Sequence, residues 1–244
     1  MELVLDFGNT HKKLALFDAG ELKLAEFHPV ISLQIISKFV DEHPGITSCI
    51  LSSVVDHDGE ITEFLSQAFE FINLDAGTPL PLKNMYSTKI TLGKDRLAAA
   101  VAGSSAFPGK DVLVISAGTA LTFDFVNAAS EYLGGSISPG MQMRFNALHT
   151  FTDKLPLLSY QEVTELIGSD TWSSILSGVI NGVVAEIEGI SYSYRVKYPN
   201  VVVIISGGDL NYLVKRLKIS IFALPNIVIH GLHQILLFNV NNSK

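Results

Sequence analysis

The chain has 244 residues, 17 basic against 24 acidic side chains for a net charge of −7, 48% hydrophobic residues and one cysteine. That length and apolar content suffice for a buried core without staples, and the lone Cys49 excludes an intrachain disulfide and favours a reducing compartment. The acidic balance argues against a nucleic-acid partner, since the densest basic stretch is only Lys215-Arg216-Leu217-Lys218. The start, MELVLDFGNT, lacks the basic opening and apolar core of a signal peptide. The longest uncharged stretch, 219–243, is broken by Pro225, Asn226, His230, Gly231, His233 and Gln234. No membrane partner and a cytoplasmic location are therefore expected.

In chain order, LVLDF and LALFD predict a hairpin turned by Gly8-Asn9-Thr10. A helix over 33–40, a buried strand over 48–54, a helix over 59–69 and a strand over 70–74 follow, the alternation of an α/β domain. Beyond Pro79 and Pro81 an alanine-rich helix begins near Lys94 and leads through Phe107-Pro108-Gly109 to a strong strand over 111–116. Laying VLDFGNTHKKLALFD over VISAGTALTFDFVNA aligns Gly8 with Gly118 and Asn9 with Thr119, at an offset of 110 (118 − 8). This predicts two related lobes, 1–110 and 111–244, facing each other across a cleft; a chance match of two glycine hairpins is the competing reading. The second lobe continues with glycine-rich YLGGSISPG, helices over 141–150 and 171–194, an apolar strand over 201–205 and a Gly207-Gly208-Asp209 turn.

Several of these turns suit phosphate chemistry. Asp6-Phe7-Gly8-Asn9-Thr10 joins a carboxylate at a strand end to a turn whose N–H groups and Thr10 hydroxyl can face a phosphate, while Asp6 can hold hydrated magnesium. An ordinary hairpin with an Asx-type cap explains the same residues. Ala117-Gly118-Thr119 leaves its backbone open to a polyphosphate, and Ser206-Gly207-Gly208-Asp209 can receive a flat ring, though small-residue turns are common in α/β proteins. In Gly93-Lys94-Asp95-Arg96, Asp95 either caps a helix or takes a proton from a bound hydroxyl, and Arg96 is either a surface cation or a grip on a substrate carboxylate. His149, His230 and His233 lack the spacing of a zinc site. Cys49 reads as a buried hydrophobe, and Trp172 as filling the core or a dimer contact. Asp124 and Asp209 stand near motif turns with no spacing that fixes a role.

In order, DFGNT, the Asn84 and Tyr86 loop, GKDRLAAA, AGTALT with FDFV, GGSISPG, the Ala147-Leu148 and Leu155-Pro156 pairs, Gly168 with Thr171, Ser177-Gly178, SGGD and Gly231-Leu232 resemble the type III pantothenate kinases. These belong to the acetate and sugar kinase/Hsp70/actin superfamily. The resemblance implies an α/β, actin-like ATPase fold of two ribonuclease-H-like lobes with a nucleotide cleft between them. It implies ATP-dependent phosphorylation of pantothenate, the first step of coenzyme A synthesis, by a homodimer whose acceptor site lies near the subunit interface. Carried over by motif, Asp6, Phe7, Gly8, Asn9, Thr10, His11, Lys12 and Lys13 bind ATP phosphate, Asp6 with magnesium, and Thr119 touches ATP. Asp95 is the base, and Tyr86, Gly93, Lys94, Arg96 and Thr171 contact pantothenate. The family usually has Asp before A-G-T, holding a monovalent cation such as potassium or ammonium; Ser116 stands there instead, which puts that site in doubt. The loss of that acid also leaves open a regulatory protein of the Bvg accessory factor type without kinase activity.

Overall fold

Alternation of buried aliphatics with half-buried or polar residues builds the first sheet. The computed structural model describes residues 1–162 and 165–242; Ser243 and Lys244, at the end of the expected second lobe, lie outside them. In chain order the elements are β1 (Glu2–Phe7), β2 (Lys12–Asp18), β3 (Glu21–His28), α1 (Leu33–Glu42), β4 (Ser48–Ser53), α2 (Gly59–Ala68), β5 (Glu70–Asn73), β6 (Lys83–Asn84) and α3 (Lys94–Ala106). Then come β7 (Val112–Ala117), β8 (Ala120–Val126), β9 (Glu131–Pro139), α4 (Met141–Thr150), α5 (Thr171–Lys197), β10 (Val202–Ser206), α6 (Leu210–Val214), β11 (Phe222–Ala223) and α7 (Ile227–Asn242).

The chain divides into two compact units, and the division departs from the expected single cut at 110/111. Unit 1 holds Met1–Pro108, Ser130–Leu133 and the chain from Asn226 onward; unit 2 holds Gly109–Ala129 and Gly134–Pro225. The reason is helix packing. Helix α7 lies along α3 and against β1 and β4. Its Gly231 approaches Ala98 so closely that a Cβ there would meet the Ala98 carbonyl oxygen at 1.8 Å.

In unit 1 the strand order is β3-β2-β1-β4-β5, antiparallel across β3-β2-β1 and parallel across β1-β4-β5. Leu3, Leu5 and Phe7 of β1 face one way and form a core with Ile36 and Phe39 of α1 and Ile61 and Leu65 of α2. Val4 and Asp6 face the other way, toward the side that α7 covers. Cys49 is in the first core, and burial pushes its thiol up to about 12, as befits a small hydrophobe.

The second sheet repeats the plan and adds a strand, β6-β9-β8-β7-β10-β11, with β8 antiparallel and β10 parallel to β7; β6 and the start of β9 belong to unit 1 and the rest to unit 2. The offset of 110 holds through the turn glycine and then slips by two residues, because β2 starts at Lys12 and β8 at Ala120. Leu113, Ile115, Phe123, Phe125, Val203 and Ile205 pack on α4 and α5. Among the described residues α5 is the one helix long and apolar enough to cross a membrane by length and composition. Its Ile175, Leu176, Val179, Ile180, Val183 and Ile187 form a stripe spent on this core. Trp172 is 53% exposed and does not fill it, contrary to the core alternative. YLGGSISPG, expected as a glycine-rich segment, is strand β9; a Cβ at Gly135 would lie 1.6 Å from the Phe123 carbonyl oxygen.

Candidate active site

Unit 1 gathers most of the expected site. Asp6 pairs with Lys13 across the hairpin, and the Lys13 ammonium lies 3.3 Å from its Oδ2. Burial raises the Asp6 carboxyl above the ordinary value; Lys13 offsets this by charge and hydrogen bond, and the negative charge of Asp95 adds to the rise. The Gly8 N–H donates to the His11 carbonyl at 3.1 Å, and the Lys12 Nζ donates to the Gly8 carbonyl at 3.0 Å. Asn9, Thr10 and His11 are exposed around this turn. Phe7 differs from expectation: its ring is fully buried in the core, edge-on to His57 at 5.6 Å, so only its backbone can serve a ligand.

Asp95 stands in the first turn of α3, exposed, where a carboxylate suits the helix dipole. Its Oδ1 occupies the space a side chain at Gly93 would take: a Cβ there would lie 2.6 Å away. Arg96 is buried, and its guanidinium lies 6.0 Å from the centre of the Tyr86 ring. Tyr86 is set by an Asx turn, its N–H donating to Asn84 Oδ1 at 3.0 Å, and by Met85, whose N–H donates to the Tyr132 carbonyl at 3.0 Å. The fully buried Tyr132 ring is 6.1 Å from that of Tyr86. Sequence reasoning missed Tyr132, because it reaches the loop through the β6–β9 pairing, 48 positions away. Lys94 acts on Asp75, whose carboxyl is lowered first by the Gly77 N–H and last by Lys94.

Thr119 and Thr171 belong to unit 2 and are not in the unit 1 cluster. Thr119 is exposed in the turn between β7 and β8. That turn is hemmed in by backbone: the Gly140 N–H donates to the Thr119 carbonyl at 3.1 Å, and the Asp209 N–H donates to the Ala117 carbonyl at 3.1 Å. A Cβ at Gly140 would lie 2.0 Å from the Gly118 carbonyl oxygen, and one at Gly207 (φ +104°) 2.0 Å from that of Ala117. Burial pushes the Asp209 carboxyl up to about 6. Thr171 opens α5 behind the capping box of Asp170 and Ser173. With Pro139, Met143, Arg144, Ala147 and Phe151 it lines an apolar groove of about 950 Å³.

Two cation sites can be tested against these side chains. Magnesium keeps most of its water and uses one or two carboxylates with substrate phosphates, and Asp6, near the end of β1 and beside the glycine turn, offers one such carboxylate. Among the described residues no three His, Cys, Asp or Glu side chains form an all-protein metal cage. Ser116 lies in register between Thr122 and Ser206, a row of three hydroxyls. Asp124, on the same sheet face, is fully buried and accepts from the Thr122 hydroxyl at 3.1 Å. Position 116 itself brings a neutral hydroxyl, and the carboxylate of this set is Asp124.

Comparison with known proteins agrees with the geometry. A curated type III pantothenate kinase from Christiangramia forsetii is 43% identical over 242 residues, covering 98% of this chain and 99% of its own. Among solved structures, a Baf family protein from Campylobacter jejuni superposes with a TM-score of 0.62 at 21% identity, covering 98% and 99%. The activator of the 2-hydroxyisocaproyl-CoA dehydratase from Clostridium difficile superposes at 0.54 and 12%, covering 99% and 96%. These two likenesses are of fold, the actin-like ATPase fold that the family resemblance implied. The type III pantothenate kinase family profile matches residues 2–193, and with that match and the 43% relative, this chain belongs to the type III pantothenate kinases.

Proposed function

We propose that this chain transfers the γ-phosphoryl group of ATP to the hydroxyl of pantothenate, with Asp95 as the base. What supports this is membership of the kinase family together with an exposed carboxylate, Asp95, opening α3, and the buried Asp6–Lys13 pair beside the glycine turn. Phosphoryl transfer needs little covalent chemistry from the protein; it needs phosphate donors, neutralised charge and an oriented hydroxyl. The N–H groups of Asn9 and Thr10, with His11 and the ammonium groups of Lys12 and Lys13, hold phosphate oxygens; Gly8, its own N–H closed on the His11 carbonyl, shapes the turn, and Thr119 adds a hydroxyl from its own turn. Asp6 would hold magnesium together with the phosphates, and the ion would neutralise part of their charge. Asp95 accepts the proton of the acceptor hydroxyl as that oxygen bonds to phosphorus and ADP departs. Arg96, steadied by Tyr86, pairs with the pantothenate carboxylate, while Gly93 and Lys94 shape the acceptor side.

The apolar groove beside Thr171, with Phe151 86% exposed, supports a homodimer in which Thr171 completes the acceptor site. A cytoplasmic enzyme without nucleic-acid or membrane partners fits the charge and the family. The regulatory alternative has only Ser116 in its favour. The test is Asp95→Asn: turnover to 4′-phosphopantothenate, followed by mass spectrometry, should fall by about 10²–10⁴ with an unchanged melting temperature. A rate near wild type would remove Asp95 as the base.

A further inference from the structure

Two side chains of unit 2 from separate helices converge on the Ser138-Pro139 segment just ahead of Gly140. Arg144, in the first turn of α4, donates from Nε to the Pro139 carbonyl at 2.9 Å and from Nη2 to the Ser138 hydroxyl at 3.5 Å, and it pairs through Nη2 with Glu186 of α5. The Ser138 hydroxyl donates to the other oxygen of Glu186 at 2.6 Å. Both charged side chains are about three-quarters shielded from solvent, with 22% and 24% exposed. Pro139 has no N–H, so its carbonyl is its one backbone handle, and Arg144 holds it.

What this segment touches gives the network its consequence. The next residue is Gly140, whose N–H holds the Thr119 carbonyl and whose Cα is pressed against Gly118 and Thr119. The same Gly140 accepts the Arg144 N–H in the first turn of α4, at 3.1 Å. Arg144 thus grips Gly140 by its backbone and the two preceding residues by its guanidinium.

We infer that Arg144 and Glu186 are positioning residues for the Gly118-Thr119 turn, acting through Ser138-Pro139-Gly140 and not by touching the nucleotide. This rests on the reading that the turn contacts ATP. An isolated surface ion pair contributes little to stability. Here the pair fixes the backbone behind a ligand turn, where a shift of a few tenths of an ångström alters hydrogen-bond angles to phosphate. Because Glu186 neutralises Arg144, the guanidinium is committed to this clamp and is not a spare phosphate ligand.

The test compares Arg144→Met, Arg144→Lys and Glu186→Gln in the full-length protein. Arg144→Met should raise the KM for ATP about 5–20-fold, the scale of energetic coupling through a packed network; because Arg144 also lines the groove beside Thr171, the KM for pantothenate is read in Glu186→Gln, where it should stay within about twofold. Arg144→Lys restores part of the loss, because an ammonium still reaches a carbonyl or Glu186. Glu186→Gln keeps the acceptor for Ser138 and should give a smaller rise of the same kind; it carries the test if Arg144→Met fails to fold. Titration with a fluorescent ATP analogue, without acceptor, reads the same shift even if pantothenate proves to be the wrong acceptor. An unchanged nucleotide affinity in Glu186→Gln and Arg144→Met, or a uniform loss of affinity for both substrates together with a lowered melting temperature, overturns the inference.

Discussion

Gly231→Ala is the sharpest stability test of unit 1. The added methyl would sit 1.8 Å from the Ala98 carbonyl oxygen, where ordinary contact starts near 3.4 Å, so α7 and α3 must part by 1.6 Å (3.4 − 1.8). The obstructing atoms, the O, C and Cα of Ala98, are all backbone, which no rotamer change can move aside. Overpacking of this kind costs about 1–3 kcal/mol, and the partial loss of the α3–α7 contact pushes toward the upper end. Alanine returns about 1 kcal/mol through helix propensity, leaving roughly 2 kcal/mol of net destabilisation. For a chain of this size that is a fall of about 4–8 °C in melting temperature. Calorimetry should be run beside Gly189→Ala in α5, where a Cβ meets nothing within 4 Å and stability should rise by about 0.5–1 kcal/mol. If Gly231→Ala melts with wild type, or both variants lose stability alike, the close approach of the two helices is not what fixes this glycine.

Gly93→Ala pushes on the Asp95 carboxylate, 2.6 Å from the new methyl, and should lower kcat about tenfold with little change in melting temperature; an unaltered kcat would separate Gly93 from the base. Exchanging sodium for potassium should change kcat/KM by less than about twofold, because position 116 offers a hydroxyl in place of a charge, and steep activation by potassium would contradict that. The Asp209 carboxyl, raised from 3.8 to about 6 by burial, binds its proton more tightly in the folded chain. Its contribution to stability therefore declines as pH rises from about 4 to about 6 and stays lost above. Urea unfolding of Asp209→Asn should show the variant gaining on wild type across that window; a pH-independent difference would refute the assignment.

The hairpins, the helix at Lys94 and the order of the motifs were legible because each is written in neighbouring residues. The Asp6-to-Thr10 turn and the start of α3 lie where the spacing put them. Strand β9 was hidden because Gly134 and Gly135 read as loop, whereas Gly135 is there to let β9 cross the Phe123 backbone. Helix α7 was hidden because its own stretch offers no charged face, and its membership of unit 1 depends on Gly231 meeting Ala98, a pairing with no local trace. The Arg144–Glu186 clamp was invisible for the same reason: its partners are 42 positions apart on two helices. Phe7 shows the converse limit. A motif names a position, but strand alternation decided that its ring points into the core.

The return of α7 has a consequence for synthesis. Once α3 has emerged from the ribosome, its alanine-rich flank stays bare while residues 107–226 are made, on the order of ten seconds at about 5–20 residues per second. The nascent chain thus carries a sticky ridge whose main native cover is still unborn, and a stalled ribosome anywhere in that interval leaves a half-clad product for chaperones or proteases to claim.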